Sequence, residues 1–575
     1  MFTVSVVERR RFGCWLMGAI LTLLFGGTNN LTAQQPAFTS TERWILQKVA
    51  AGERADLKSD FPTSAERVIT SSFVRRLLTR NIPGLKVPAN GVQIWNATVR
   101  GDLDLTNEEV PYNVLMQNCD FAGYVTFSFT KFRGSLSLAG SRFHNSVNFT
   151  YAKINEGFEA NNTQFRAGSA ELEDEFGELA GKVEFGNMKV EGPMFLADAI
   201  FDRPASFYGA RIAGNFEANG VHFKQSATFE LMDVRGHVFL SRSVFEGNAR
   251  FFRVKVTENF EAMGAHFRDT TKVNNEIRAT SFEGMSAYAA LFTADRTKGA
   301  TIFNPPVRFY GVNISTNLEL DDAQFNGEAN LENMLIKGHA FLRRTVFNGG
   351  ASFWSTTVGQ SFDVKNAQFN DARFSVNFSD LKADVLDFQA TSITNQIDVS
   401  GLTFREIRPD GLHNFNDLIG RADYNAGAYS ALEDYYRRHG NISEANNTYI
   451  TRRRRERDNL SWGAWVGDLM YDGFVAYGRR PWQVIIPILI VLGCGWWMFR
   501  SRRGMQAQDE KNKYRRYSPL MYSLDLFLPI VDLRAANIWE PKESRRLARL
   551  YLTFHVIAGW ALITIFVAAI TGIVK

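Results

Sequence analysis

Along most of this chain a Phe or a β-branched residue returns to the same slot every eleven residues. Val99, Val110, Phe121, Phe132, Phe143, Ile154 and Phe165 form one unbroken series, and Val190, Phe201, Ile212, Phe223, Val234, Phe245, Val256 and Phe267 form another. The pattern resumes as Phe303, Ile314, Phe325, Ile336, Phe347, Val358 and Phe369, with a last echo at Ile393 and Phe404. Six residues after many anchors stands a second apolar residue, as in Phe201 to Phe207, Phe223 to Phe229 and Phe347 to Phe353, and the next anchor follows five later. Small residues precede these positions by two: Ala199, Ala205, Ala227, Ala249, Ala323 and Ala351. Residues i and i−2 face the same side of an extended strand, so a small and a large side chain fill one interior together. A fixed period held from residue 91 to residue 404 predicts a solenoid, in which each coil buries its apolar edge against the coils above and below.

Two elevens make a coil of 22 residues. Where the anchor is β-branched, at Ile154, Ile212, Val256 and Val358, a Phe follows four residues later: Phe158, Phe216, Phe260 and Phe362. Packing density must stay constant along the tube, so bulk removed at one corner is restored at the next. With coils rising by one strand spacing of about 4.8 Å, some thirteen of them make a rod on the order of 60 Å long. Residues 167–181 and 268–300 break the register and are expected to project as loops.

The segments "ADAIFDRPASFYGA" and "DDAQFNGEANLENM" resemble the small-x-large core of the pentapeptide-repeat family, and "GVQIWNATVRGDLDL" resembles the start of the solenoid in a membrane-associated bacterial branch of it. That resemblance implies a right-handed, four-sided β-helix. The spacing departs from the family's strict five: alternating five and six makes two of the four faces one residue longer.

Outside the repeat, "TSTE" at Thr39 to Glu42 and "TSAE" at Thr63 to Glu66 have the capping-box form, so two helices are expected over residues 34–90. The first should stop near Gly52; the second, with Ile69, Phe73 and Leu77 on one stripe, should cover the open end of the first coil. Residues 1–33 read as an export signal: Arg9, Arg10 and Arg11 precede an apolar stretch to Phe25, and Ala33 offers a cleavage site, with an uncleaved anchor as the alternative. After the repeat, residues 415–460 read as a helical hairpin with Leu432, Tyr435 and Tyr436 on one face, a turn at His439 to Asn441, and Ala445 and Tyr449 on the returning helix. Arg452, Arg453, Arg454 and Arg455 on that helix are candidate contacts for acidic lipid head groups, a solvated helix face being the alternative.

Residues 482–499 and 550–574 are apolar enough and long enough to cross a bilayer, making a two-span module over 482–575. Arg500, Arg502, Arg503, Lys511, Lys513, Arg515 and Arg516 crowd after the first span and Lys542, Arg545, Arg546 and Arg549 before the second, which puts the intervening loop in the cytoplasm. The solenoid then lies on the periplasmic or extracytoplasmic side of an inner membrane, as the export signal also requires. The sequence from Tyr435 onward resembles a module shared by some pentapeptide-repeat proteins and small potassium channels, on "YGRRPW", a span, "YSLD" and a last span. In those channels glycine-bearing loops line the ion path with carbonyls. Here the corresponding segment, with Tyr522, Ser523, Leu524, Asp525, Pro529 and Asp532, has no glycine between Leu526 and Leu533. It reads as an interfacial or re-entrant remnant of a pore.

Composition narrows the function classes. A formal net charge of +5 on 575 residues is too mild to propose a nucleic-acid partner, and the rod is not acidic enough to imitate one. Dinucleotide, nucleophile-elbow, zinc-protease and paired-cysteine motifs are absent from the sequence. His222 and His266 recur two coils apart, about 10 Å, too far to share a metal. No cofactor or metal is expected. The leading expectation is an exported, membrane-anchored, non-catalytic scaffold, with membrane lipids and an envelope protein as partners and oligomerisation through the membrane module. A conductance or transport protein with a solenoid sensor is the alternative, and an enzyme would need a pocket between residues 268–300 and the coil wall.

Overall fold

The computed structural model describes residues 38–166, 182–297, 299–370, 373, 375–394, 396–509, 511, 514–528 and 531–571. The export signal, the first insertion at 167–181, Pro529 and Lys575 lie outside the described residues. The chain is mostly a parallel β-solenoid of about thirteen turns. Helices stand before it, and two apolar helices follow it.

The eleven-residue period resolves into two ladders, each with a 22-residue step. Asp120–Phe121 pairs with Arg142–Phe143 and that with Gln164–Phe165, while Glu109–Val110 pairs with Lys131–Phe132 and that with Lys153–Ile154. Two further ladders carry the intermediate residues, one through Leu136, Phe158 and Met194, the other through Val125, Val147 and Val183. Four ladders of short parallel strands therefore run along most of the solenoid. Near the end, the longer strands Thr357–Asp363, Lys382–Asp387 and Thr403–Ile407 cross a corner and join two ladders into one 25-stranded sheet.

Stacked rings fill the interior. One column runs without interruption from Phe121 through Phe143, Phe165, Phe201, Phe223, Phe245, Phe267, Phe303, Phe325 and Phe347 to Phe369, with centroids 4.6 to 5.3 Å apart. A second runs from Phe149 through Phe185, Phe207, Phe229, Phe251 and Phe282 to Phe309 at 4.6 to 5.1 Å. The columns meet edge to face, as at Phe223 and Phe229, 5.7 Å apart and 86° between planes, the geometry that ring quadrupoles favour. Where the small position is a hydroxyl residue, the buried group donates to a carbonyl of the coil below: Thr130 to Leu105, Ser243 to Ala218 and Thr345 to Leu320, at 2.6 to 2.9 Å. Such a pairing is required because an unmade hydrogen bond in this core is costly.

The N-terminal cap differs from the sequence expectation in one helix. Helix α1 (Ser40–Ala51) starts at Thr39 with both capping-box bonds formed and ends at Gly52, whose φ of 71° favours glycine. The "TSAE" segment makes the Thr63 to Glu66 side-chain bond at 2.7 Å but starts no helix. After the short α2 (Leu57–Asp60), helix α3 (Ser71–Leu78) begins later, capped by Thr70. The intervening residues are drawn into the solenoid, since Ala55–Asp56 and Val68–Thr70 pair with Ile94–Trp95 and Thr98–Arg100. The cap thus continues two ladders as well as covering their ends. Glu42 ties its halves together, accepting from the Thr39 backbone at 2.9 Å and from the Thr70 hydroxyl at 2.7 Å.

The second insertion is also not one loop. Lys272–Val273 and Glu276–Ile277 form a projecting antiparallel hairpin, but Thr280–Ser281, Ser286–Ala287 and Ala290–Leu291 rejoin the ladders. Phe282, Met285 and Phe292 are fully buried. The core continues through the break in sequence period because Phe282 takes its place in the ring column between Phe251 and Phe309.

Past the last coil come α4 (Pro409–Arg421), α5 (Ala426–Arg438), α6 (Ile442–Glu456) and α7 (Trp462–Val475). Helices α5 and α6 are the expected hairpin, with Leu432, Tyr435, Tyr436 and Ala445 buried. Helix α4 was not foreseen. Its Phe415, Leu418 and Ile419 merge with the solenoid core, so α4 and the hairpin close the rod's far end. Then follow α8 (Ile485–Met498), α9 (Pro519–Phe527) and α10 (Arg546–Ile570).

Candidate functional site

Two helical stretches are long and apolar enough to cross a membrane: Pro481–Met498, 18 residues, and Arg546–Ala568, 23 residues. Large apolar side chains on both face outward, among them Ile486, Leu489, Trp497, Leu550, Phe554 and Ile557. The two run antiparallel. Phe499 at the end of the first clusters with Ala548 at the start of the second, while Val484 clusters with Leu562 near the other end.

Helix α9 lies between them. It starts at Ser518, beside the end where Phe499 meets Ala548, and runs inward until Phe527 joins the Val484 and Leu562 cluster. The chain then returns to its starting end, because the Asp525 carboxylate accepts the backbone N–H groups of Leu533 and Ala536, both at 2.6 Å. Trp539 closes the excursion against Tyr517, 5.5 Å between ring centroids, and the Arg502 guanidinium lies 3.7 Å from the Trp539 ring. Helix α9 thus packs between the two apolar helices, and residues 531–539 lie back toward its first turn.

Its residues divide by role. Tyr522 is buried against Phe499. Ser523 donates to the Leu492 carbonyl at 3.1 Å, and its own carbonyl lies 2.9 Å from His555 Nε2. His555 Nδ1 is 3.2 Å from the Tyr551 hydroxyl, which donates to the Val491 carbonyl at 2.9 Å. Gly495 permits this close approach, since a Cβ there would collide with Ser523 Oγ and with the His555 ring. Leu524 is half-buried, and Asp532, exposed, accepts from the Arg534 backbone at 2.7 Å. The polar groups satisfy one another across three helices, an arrangement that locks the helices together.

The four candidate lipid-contacting arginines all have partners within the protein. Arg452 donates to Ser430 Oγ at 2.6 Å, and Arg453 pairs with Glu456 at 2.8 Å. Arg454 makes a bidentate pair with Asp472 at 2.9 and 3.0 Å. Arg455 donates to the carbonyls of Ile419 and Ala422, both at 2.9 Å, and so satisfies the C-terminus of α4. Lipid head groups would have to compete with these contacts.

Sequence reasoning passed over the strongest polar cluster, which lies next to them. Arg457 donates to Asp468, Asp472 and the Tyr477 hydroxyl at 2.6 to 2.7 Å, and Tyr477 donates to Asp468 at 2.6 Å. Burial pushes the Tyr477 phenol up to about 12, with its bond to Asp468 acting in the same direction. Burial works to raise the Asp472 carboxyl, but the bonds from Arg454 and Arg457 outweigh it and hold the carboxyl below its usual range. The cluster pins three consecutive left-handed residues, Ala476, Tyr477 and Gly478, with φ of 45°, 55° and 78°. Two of these are not glycine, and this strained turn is what redirects the chain from α7 into the first apolar span. The signal was present as Arg457, Asp468 and Asp472 at spacings of eleven and four, but nothing in that spacing shows that the helices bearing them are adjacent.

On the solenoid, a cleft of about 990 Å³ opens between the projecting hairpin and the coil wall, where an enzymatic reading would have needed a pocket. Arg250 and Glu230 pair inside it at 2.6 Å, and Arg308 approaches Glu283 at 3.6 Å. His222 pairs with Glu246 at 2.9 Å. Among the described residues no group of three or more His, Cys, Asp or Glu is placed to hold a metal ion. Compared with known proteins, the chain matches no family model, no curated protein and no solved structure.

Proposed function

We propose that this protein is a non-catalytic, membrane-anchored binding scaffold, exported so that its rod stands on the periplasmic or extracytoplasmic face of an inner membrane. One observation carries the reading: a solenoid filled by stacked rings is joined through a capped end to two apolar helices with outward-facing side chains. A filled rod offers no interior to a substrate, so its usable chemistry lies on its outer faces. The right-handed, four-sided coil and the pentapeptide-repeat kinship belong to the same proposal, supported by the 22-residue ladder step. So do contacts with membrane lipids, where Arg454 is the most exposed of the four arginines, an envelope protein as partner, and oligomerisation through the apolar helices. Support for this topology comes from the antiparallel packing of the two apolar helices, which brings the start of the first beside the later part of the second, and from the cations of the loop between them.

Protease added to intact spheroplasts tests it. Digestion at the 272–277 hairpin with protection of residues 505–509 is expected; a solenoid that survives until the membrane is breached overturns the topology. The packing of α9 between the two apolar helices favours a second reading, a conductance protein with a degenerate pore. Ion flux across proteoliposomes above that of protein-free vesicles would establish that reading in place of the scaffold.

A further inference from the structure

The corner that follows each buried residue of the second ring column carries an outward row in which two kinds of side chain alternate from coil to coil. Tyr208, Phe252, Tyr310 and Trp354 stand on every second coil, and Glu230, Glu283 and Glu332 stand on the coils between. The ladder fixes this order, through Ala205, Ala227 and Ala249 on one side of the hairpin insertion and Ser281, Arg308, Asn330 and Ser352 on the other. Tyr208, Tyr310 and Trp354 are 44%, 45% and 43% exposed, and Phe252 is half-buried. Each carboxylate is held by the strand residue one coil further on: Arg250 Nη2 is 2.6 Å from Glu230, Arg308 Nη1 is 3.6 Å from Glu283, and Ser352 Oγ donates to Glu332 at 2.6 Å. The 272–277 hairpin stands beside the first half of the row and makes it one wall of the cleft.

We infer that this row is a binding site for an extended, uncharged β-1,4-linked glycan chain, such as a glucan or an N-acetylglucosamine polymer. Aromatic positions two coils apart are separated by about 10 Å along the rod. In a β-1,4-linked chain successive sugars are turned over, so the same face recurs once per disaccharide, at nearly that length. The C–H face of every second sugar then meets a ring, and the hydroxyls of the sugar between meet a carboxylate already oriented by Arg or Ser. An extended peptide fits poorly: at about 3.3 Å per residue the spacing corresponds to three residues, and residues three apart point to opposite faces. A polyanion is disfavoured by the three carboxylates. From Tyr208 to Trp354 the row covers six coil steps, about 29 Å, the length of a hexasaccharide.

The inference rests on the reading of the rod as a binding surface but not on its topology, so the protease experiment and the one below can fail independently. Titration calorimetry of the full chain in detergent, with cello- and chito-oligosaccharides of two to eight sugars, should show affinity rising to the hexamer and then levelling. Tyr310→Ala and Trp354→Ala should each weaken hexamer binding about three- to tenfold. Leu335→Ala, exposed on another ladder, should leave it unchanged. Absence of binding by both β-1,4 hexamers at millimolar concentration overturns the inference. So does equal binding of α-linked maltohexaose, or undiminished binding by a Tyr208→Ala, Tyr310→Ala, Trp354→Ala variant with unaltered circular dichroism. Should that variant misfold, Trp354→Phe against Trp354→Ala gives the same readout, since only the ring-preserving change should retain affinity.

Discussion

The solenoid and the C-terminal module that carries the two apolar helices are held together in opposite ways. In the solenoid one contact is repeated: a ring on a ring, a small residue beside a large one, a backbone ladder with a 22-residue step. In the module almost every contact occurs once, and the decisive ones are polar: Asp525 on two backbone amides, Ser523 and His555 between helices, Arg457 among two carboxylates and a phenol. Water drives the apolar side chains of the first region together, whereas apolar helices would gain little from burying one another in an apolar surrounding. The lesson is that apolar repetition can build a rod, but joining it to apolar helices needs individually placed hydrogen bonds.

That contrast can be broken experimentally, starting where the effect should be largest. Phe223→Ala removes a ring from the middle of a continuous column and should cost about 3 to 5 kcal/mol in chemical denaturation. Its neighbour Lys224, paired with Asp202 on the surface, should cost less than about 1 kcal/mol when changed to Ala. Equal tolerance at both positions would refute the assigned register.

Arg457→Met leaves Asp468, Asp472 and Tyr477 without their shared cation and should destabilise the junction by about 3 kcal/mol, read as faster hydrogen exchange in α6 and α7. The same junction has two pH limits. Because the Asp472 carboxyl is depressed in the folded state, its contribution is present above the ordinary aspartate range and is lost as pH falls through the folded value. The Tyr477 phenol is raised to about 12, so its contribution is full below about pH 10 and is lost as pH rises toward 12. Exchange in α7 that is flat across both windows would show that the cluster does not hold the turn.

Asp525→Ala strands the amides of Leu533 and Ala536 and should cost about 2 kcal/mol, with the return segment 531–539 becoming the preferred site of proteolysis. Asp525→Asn should fall between this and the unaltered protein. The smallest effect sharpens the solenoid side: Thr345→Val keeps the shape but removes the hydroxyl's bond to the Leu320 carbonyl, which keeps the Ala323 N–H, and should cost about 1 kcal/mol by denaturation. A loss as large as that of Phe223→Ala would mean that hydrogen bonds, and not rings, dominate the rod.

How far the sequence could be read follows from the same physics. Periodicity is a local property that repeats, so the sequence alone assigns Phe121 to Phe369 to one interior, and it assigns the capping box at Thr39 because its partners lie three residues apart. The break at 268–300 was misread because the period is lost there while the column is not: Phe282 keeps its place only through contacts with Phe251 and Phe309. The box at Thr63 was misread because ladder pairing of Val68–Thr70 with Thr98–Arg100 takes precedence over a local helix signal.

What the chain determined by itself was therefore the solenoid, its coil length, its inward residues, and two stretches apolar enough to leave water, all consequences of burial summed over neighbours in sequence. Only the tertiary structure decided that the four arginines bind protein groups, that Asp525 turns the α9 segment back, that Arg457 anchors the turn at Tyr477, and that aromatic and acidic residues on successive coils align into one outer row. Each depends on the direction of a polar or exposed side chain toward a residue distant in sequence. Hydrophobic burial has no direction and can be read from composition and period; a hydrogen bond has one, and it is set only when the two elements meet.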